Sequence, residues 1–250
     1  LYIMKFFILY FVIFSFYSCG AVSLEFSSAK TYARIDRDFD KAEEFALIAL
    51  NDSLFKNDAS IPYFLGKEIY LPQKKYPQML KMFDESLARN SNQPLEKIEY
   101  RDDTTLKTIA EGVSYYRSAV WIEVYNNAID MYNNKQINES AESMLLALKI
   151  DPSKIENYIV LGNIYLYSMQ PPKYKEAKKI ANKGLEALPY NSKIYNILGD
   201  IASSENKLKE AKEYYIKAIN NTQSPELDLT RALINIYIQL NEPGEAIELA

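Results

Sequence analysis

Large apolar residues recur at three- and four-residue steps along most of the chain after Phe26, and the pattern is clearest between Ile155 and Ser224. Such steps place side chains on one face of a helix, so the pattern predicts amphipathic helices. In this stretch the pattern predicts two similar helical hairpins. Ala177 of the first corresponds to Ala211 of the second, 34 residues later. The first copy has Tyr158, Leu161, Gly162, Tyr165, Tyr174, Ala177, Ala181, Gly184 and Pro189, and the second has Tyr195, Leu198, Gly199, Ala202, Leu208, Ala211, Tyr215 and Ala218.

Small residues occupy fixed places in this pattern. Gly162, Gly199, Ala177 and Ala211 are expected where two helix backbones approach closely. A single helical hairpin cannot bury its apolar face, whereas stacked neighbours can, so such units occur in arrays. The alternative is an ordinary helical bundle whose periodicity is accidental.

The same pattern extends towards both ends of the chain in less regular form. The sequence predicts a long first helix from about Thr104 to about Asn133, with the pair Asp102 and Asp103 as its N-terminal cap. The polar segment 90–103 is expected to be a loop or a single helical turn. The other predicted helical segments are Phe26–Arg37, Phe39–Leu54, two within Ile61–Ser91, Ile137–Ile150, and an incomplete pair that begins near Leu227.

The 34-residue period and this spacing of large and small residues resemble the tetratricopeptide repeat (TPR). The resemblance implies an all-α fold, a right-handed superhelical solenoid of antiparallel helix pairs. The predicted organisation has two degenerate TPR-like units in 26–91, an irregular connection in 92–103, and a TPR array in 104–250. The units of that array are 104–154, 155–191, 192–224 and 227–250. Because the last unit stops within its second helix, we expect that further repeats follow.

Composition narrows the function further. The chain has 250 residues, of which 48% are hydrophobic and 25% charged, so a packed core is expected. A net charge of −4 gives no basic footprint for nucleic acid. The absence of histidine removes the commonest general base and metal ligand at neutral pH. A single cysteine excludes an internal disulfide.

The N-terminal region predicts export. Met4 is the expected start, Lys5 provides a positive charge, and Phe6–Phe16 is an apolar run too short to span a bilayer. The sole cysteine, Cys19, follows this run and a small residue, as in the bacterial lipobox that it resembles. The resemblance implies a signal peptide in 1–18, lipid attachment at Cys19 and a lipidated linker in 19–25. The alternatives are a plain signal peptide with an incidental cysteine or an uncleaved anchor. Gly20, in place of an aspartate, favours the outer membrane.

No catalytic set is recognisable in the sequence. The adjacent pair Glu43 and Glu44 is expected to be solvated surface, because neighbouring residues point to different sides of a helix. Phosphate-binding glycine loops and metal-ligand clusters are absent, so we predict a protein that is not an enzyme and needs no cofactor. Trp121, the one tryptophan, is expected to pack the long helix against a neighbour.

The TPR resemblance implies that a ligand would lie along the concave face formed by the first helices. Tyrosine and asparagine on such a face suit the recognition of an extended peptide. Arg231 and Asn235 resemble half of the family's carboxylate clamp, but the clamp is incomplete and chaperone binding is not assigned. The predicted partner-binding residues are Tyr125, Asn126, Ile129, Tyr132, Ile159, Asn163, Tyr167, Asn196, Arg231 and Asn235, with Asn133, Leu166, Asp200, Ser203 and Ile238 on the same face. The alternative for each is packing between helices.

The sequence therefore predicts a cell-envelope TPR lipoprotein that acts as a non-catalytic scaffold for protein–protein interaction. Its expected partner is a peptide or protein of unknown identity in the concave groove, and its expected membrane contact is the N-terminal lipid. Two alternatives stay open. The chain could be the accessory repeat region of a longer protein with a catalytic domain, or an envelope protein that binds a small molecule or glycan.

Overall fold

The computed structural model describes residues 23–101, 103–224 and 226–249. Cys19 and the rest of the predicted signal region lie outside the described residues. The chain divides into two compact units, with the boundary between Tyr116 and Arg117. This boundary falls inside a helix, Ile109–Asn133.

The N-terminal unit contains two helix pairs whose first helices end in a π-helical turn. Helix α1 starts at a capped N-terminus, where the Ser23 hydroxyl accepts a hydrogen bond from the Phe26 amide at 3.0 Å. Ala42 and Ala46 of α2 are fully buried, which allows close packing against α1. The segments are α1 Leu24–Thr31 with its π turn Tyr32–Asp36, α2 Phe39–Asn51, a 3₁₀ turn Ser53–Phe55, α3 Ser60–Phe64 with its π turn Leu65–Tyr70, and α4 Tyr76–Asn90.

An antiparallel β-hairpin follows α4, which corrects two predictions. Strand β1 is Pro94–Arg101 and strand β2 is Thr104–Thr108, so the connection is neither a loop nor a helical turn. The long helix α5 begins at Ile109 rather than at Thr104. The predicted cap is therefore wrong, and the Glu111 carboxylate instead accepts hydrogen bonds from the amides of residues 107 and 108. Thr104, Thr105 and Thr108 are β-branched residues that favour strands, which is the physical reason for the difference.

The C-terminal unit is a solenoid of antiparallel helix pairs, in agreement with the predicted fold class. Each helix packs on its partner in the pair, and the second helix of a pair also packs on the first helix of the next. Hydrogen bonds from the Ser140 hydroxyl to the Ala128 carbonyl and from the Ser143 hydroxyl to the Val124 carbonyl join the first pair. The helices are α5 Ile109–Asn133, α6 Ile137–Ile150, α7 Ile155–Asn163 with its π turn Ile164–Ser168, α8 Tyr174–Ala187, α9 Ser192–Ser204, α10 Leu208–Asn220, α11 Leu227–Gln239 and α12 Pro243–Leu249.

Most turns within the helix pairs share one backbone conformation. In most pairs, a residue with positive φ lies two positions before the second helix, which reverses the chain in a short turn. The turn between α7 and α8 is longer and contains a cis peptide bond between Gln170 and Pro171. The positive-φ residues of the other turns are Arg37, Lys74, Lys135, Asn206 and Asn241.

The core of the solenoid confirms the predicted close approach of helices at small residues. Ala177 and Ala211 are fully buried, and Gly162 and Gly199 are buried as well. A Cβ atom added at Gly162 would lie 3.2 Å from the Ile197 side chain. The repeated small residues therefore set the distance between packed helices. This packing leaves the opposite side of each first helix available at the surface.

Candidate functional site

The predicted partner-binding residues lie on the first helices of the C-terminal unit, which are α5, α7 with its π turn, α9 and α11. Tyr125, Ile129 and Tyr132 follow one another at steps of four and three, so they share one face of α5. We call the surface formed by the ten predicted residues the first-helix face. It consists of Tyr125, Asn126, Ile129, Tyr132, Ile159, Asn163, Tyr167, Asn196, Arg231 and Asn235.

Most side chains of the first-helix face are accessible to a ligand. Tyr167 is 58% exposed and Tyr132 is 37% exposed, which is high for large aromatic side chains. Leu166, predicted on the same face, is only 4% exposed and is therefore part of the core. Asn126, Asn163, Arg231 and Asn235 are also exposed, whereas Tyr125, Ile129, Ile159 and Asn196 are partly buried.

Hydrogen bonds fix the two exposed tyrosines to the following first helix. The hydroxyls of Tyr132 and Ser168 lie 3.0 Å apart. The Tyr167 hydroxyl donates to the carboxylate of Asp200 on α9. The aromatic rings are therefore held in place while their faces stay open, an arrangement that lowers the entropy lost when a partner binds.

The Asp200 carboxylate, which lies beside the ten residues of this face, is the shared acceptor of two tyrosine hydroxyls. It accepts a hydrogen bond from Tyr167 and a second one, of 2.7 Å, from the Tyr215 hydroxyl. Burial raises the pKa of Asp200 even though both hydrogen bonds act to lower it. Burial, together with the neighbouring carboxylate, also raises the pKa values of Tyr167 and Tyr215. Both hydroxyls therefore stay protonated at neutral pH and keep donating to Asp200.

Trp121 lies one helical turn before Tyr125, at one end of the first-helix face. Its ring stacks on Tyr125 with centroids 5.0 Å apart, and the Lys154 ammonium lies 5.0 Å from the centre of the Trp121 ring. The indole N–H donates to the Asn157 side-chain oxygen at 3.0 Å, and the Asn157 amide donates to the Asp151 carbonyl at 2.9 Å. Trp121 thus packs α5 against α7, as the sequence predicted.

The residues that hold this surface were not predicted from sequence. Asn157 is fully buried, and Ser168 lies at the end of a π turn. The sequence separation of these partners could have indicated the contacts. Trp121 and Asn157 are 36 residues apart, and so are Tyr132 and Ser168. Bonds between equivalent helices of neighbouring repeats must span about one period, so polar partners could be sought at that separation.

The ten residues of the first-helix face carry little charge. Arg231 is its one charged member, and its guanidinium lies 3.4 Å from the Asp228 carboxylate on the same helix. Within residues 23–101, 103–224 and 226–249, no group of three cysteine, aspartate or glutamate side chains is arranged to hold a metal ion. Over the same residues, none of the helices is both long enough and apolar enough to cross a membrane.

Comparisons with known proteins identify one repeat directly. Residues 192–224, which contain α9 and α10, match the family model described as tetratricopeptide repeat. The TPR repeat-containing protein MJ1428 of Methanocaldococcus jannaschii is 28% identical over 128 residues, which cover 51% of this chain and 22% of that protein. The match thus spans about a fifth of the length of that relative.

Two solved structures are also similar. MamA 41-end from Desulfovibrio magneticus RS-1 has 16% identity and a TM-score of 0.43, covering 76% of this chain and 90% of its own. The first TPR of Spaghetti (RPAP3), solved bound to the HSP90 peptide SRMEEVD, has 16% identity and a TM-score of 0.44, covering 48% of this chain and 93% of its own.

Proposed function

We propose that this protein is a non-catalytic scaffold of the bacterial cell envelope that binds an extended segment of a partner protein on its first-helix face. The observation that carries the proposal is the pair of exposed tyrosine rings, Tyr132 and Tyr167, each fixed by a hydrogen bond to the next first helix. Rigid, partly exposed aromatic side chains are typical binding hot spots.

The composition of the face favours an uncharged, internal segment of the partner. Asn126, Asn163 and Asn235 are exposed amides that can both donate to and accept from a peptide backbone. Arg231 is the one cation, and its proximity to Asp228 offsets its charge. A terminal carboxylate or an acidic segment would need several cations on the face, so the first-helix face suits a neutral segment better.

The test distinguishes the contribution of the aromatic rings to binding from the contribution of their hydroxyls. Random peptides displayed on phage are selected on the purified chain without its signal region, and the affinity of a selected peptide is measured by fluorescence anisotropy. Replacing both tyrosines with alanine, Tyr132→Ala with Tyr167→Ala, should weaken binding by more than about 2 kcal/mol. The matched control, Tyr132→Phe with Tyr167→Phe, keeps the rings and should retain most of the affinity.

A folding control makes the result decisive. Tyr158 is 5% exposed and its hydroxyl bonds the Pro152 carbonyl, so Tyr158→Ala should lower the melting temperature without removing a contact residue. If the alanine pair instead lowers the melting temperature and leaves affinity per folded molecule unchanged, the tyrosines are core residues and the proposal fails. Selection of a glycan from an array, with no peptide, would support the ligand-binding alternative.

Lipid anchoring at Cys19 is the second part of this proposal and is supported by the sequence alone. A single acyl chain binds a membrane only marginally, so stable anchoring implies more than one chain on this residue. Cys19→Ser should move the protein out of the membrane fraction or leave its signal peptide uncleaved. An unchanged distribution and an unchanged mobility on a gel would show that Cys19 is not lipidated.

A further inference from the structure

Strand β1 lies against the first helices of the N-terminal unit and is held there by its carboxylates. The Glu96 carboxylate lies 2.9 Å from the Lys30 ammonium and 3.7 Å from the Arg34 guanidinium. The Glu99 carboxylate pairs with the Lys67 ammonium and also accepts a 2.6 Å hydrogen bond from the hydroxyl of Tyr116. Two acidic side chains of one strand thus reach α1, the π turn after α3, and the start of α5.

The helix positions contacted by β1 correspond to positions of the first-helix face. The pair Leu65-Gly66 occupies the place of Leu161-Gly162 in the repeat pattern. Lys67, the next residue, therefore corresponds to Asn163, a predicted partner-binding residue. By the same alignment, Tyr63 corresponds to Ile159. The hairpin thus covers, in the N-terminal unit, the surface that the C-terminal unit leaves open.

Strand β1 has the form of a bound extended peptide. Its pairing with β2 is interrupted between Pro94 and Glu99, so the intervening residues, including Glu96, are free of the regular ladder. Ile98 is 52% exposed and Tyr100 is 74% exposed, so the strand buries few apolar side chains of its own. Ion pairs with the helices are therefore the main contacts that hold this part of the strand.

Packing beneath β1 is incomplete. A groove of about 360 Å³, partly open to solvent, lies between the strand and the helices, lined by Phe26, Lys30, Tyr63, Phe64 and Lys67 together with residues of β1. The Tyr63 hydroxyl is buried and has no hydrogen-bond partner among the described residues. Because β1 does not fill this groove, an occupant with larger side chains could make more contacts there than β1 does.

The charges of this site are set for an acidic occupant. Burial acts to raise the pKa values of Glu96 and Glu99, but the hydrogen bond from Lys30 to Glu96 and those from Lys67 and Tyr116 to Glu99 leave both below the usual value. Both carboxylates are ionised at neutral pH. The Lys30 ammonium also lies 4.2 Å from the centre of the Phe26 ring, so cations and aromatic rings alternate along the surface.

We propose that strand β1 is an intramolecular ligand of the N-terminal first helices, and that an acidic, extended segment of another protein binds this surface by displacing it. This surface is distinct from the first-helix face of the C-terminal unit, and we expect a different selectivity. It presents three cations, Lys30, Arg34 and Lys67, with the single acid Glu68 beside the last two, whereas the C-terminal face presents one cation.

The test removes the hairpin and supplies β1 in trans. Pro94 and Thr108 are register partners, so a short Gly-Ser linker can join them and replace residues 95–107. The probe is a fluorescein-labelled synthetic peptide of residues 93–101. We expect the hairpin-deleted chain to bind it at least about tenfold more tightly than the intact chain, with affinity falling as salt is raised.

A charge-reversed peptide is the matched control. The same peptide with Glu96→Lys and Glu99→Lys should bind the hairpin-deleted chain at least about tenfold more weakly than the parent peptide. Equal binding of both peptides, or equal binding of the parent peptide to both chains when circular dichroism shows intact helices, would overturn the proposal.

A second variant serves if the deletion prevents folding. Glu96→Gln with Glu99→Gln, in the intact chain, removes the charges that hold β1 without shortening the protein. Hydrogen exchange of the amides of β1 should become faster in this variant, and the labelled parent peptide should bind it more tightly than it binds the intact parent chain. Unchanged exchange together with unchanged affinity would show that the hairpin is a fixed structural insertion, contrary to the proposal.

Discussion

Gly199 offers a sharp test of the close helix packing that orders the C-terminal unit. In Gly199→Ala, the new Cβ atom would lie 2.5 Å from the Cδ1 and Cε1 atoms of the Tyr215 ring. Tyr215 is 2% exposed, and its hydroxyl bonds the Asp200 carboxylate at 2.7 Å. The ring therefore cannot move away from position 199 without disturbing that hydrogen bond.

Two opposing effects determine the change in stability. Replacing glycine with alanine inside a helix stabilises it by about 1 kcal/mol, and Gly199 has no positive φ that would oppose the change. Overpacking costs about 1–3 kcal/mol, and weakening a hydrogen bond to a charged group costs about 1.5–3 kcal/mol. We therefore expect a net destabilisation of about 1.5–5 kcal/mol, with the melting temperature falling by about 2–4 °C for each kcal/mol.

Two other glycines are matched controls in the same unit. A Cβ atom at Gly244 would meet nothing within 4 Å, and one at Gly162 would lie 3.2 Å from the flexible end of Ile197. Urea unfolding followed by circular dichroism should therefore rank the midpoints as Gly244→Ala highest, Gly162→Ala next and Gly199→Ala lowest. A Gly199→Ala midpoint at or above that of the parent would refute the assigned packing of α9 against α10.

Further predictions concern stability at single polar and aromatic residues. Asn157→Ala removes the acceptor of the Trp121 N–H and the donor to the Asp151 carbonyl, so we expect a loss of about 2–4 kcal/mol and altered fluorescence of the sole tryptophan. Tyr158→Ala should cost about 3–5 kcal/mol in urea unfolding, and a much smaller loss would mean that the cavity collapses. The folded-state pKa of Glu99 is lowered, so its stabilisation is present above the unfolded value of about 4.5 and is lost as the pH falls through the folded value. Glu99→Gln should therefore flatten the acid limb of the melting-temperature profile, and an unchanged limb would contradict this contribution.

The repeat pattern predicted most helices because large and small residues alternate with a fixed period there. It failed at the start of α5, where Leu106 and Ile109 are three residues apart and fit both a helix and a strand followed by a helix. Residues 97–101 alternate between polar and apolar, and the threonine-rich segment 104–108 follows after only two residues, which together were a hairpin signal. A prediction based on helical periodicity alone therefore missed this hairpin.

The candidate site was predictable only as a surface. The position of Tyr167 relative to Gly162 placed it on the exposed face of its helix, and the structure finds it there. Its bond to Asp200, and the bond from Tyr215 to the same carboxylate, depend on helices that are far apart in sequence. Helical periodicity describes one helix at a time, so it does not specify which side chains of two helices will meet.

The side-chain hydrogen bonds between successive first helices have a consequence for how the array unfolds. In repeat proteins, stability is approximately a sum of terms for each repeat and for each contact between neighbours. The bonds from Trp121 to Asn157, between Tyr132 and Ser168, and from Tyr167 to Asp200 all add to the contacts between neighbours. Unfolding one of the pairs that begin with α5, α7 and α9 would therefore also remove bonds from its neighbour, which raises the cooperativity of this part of the C-terminal unit.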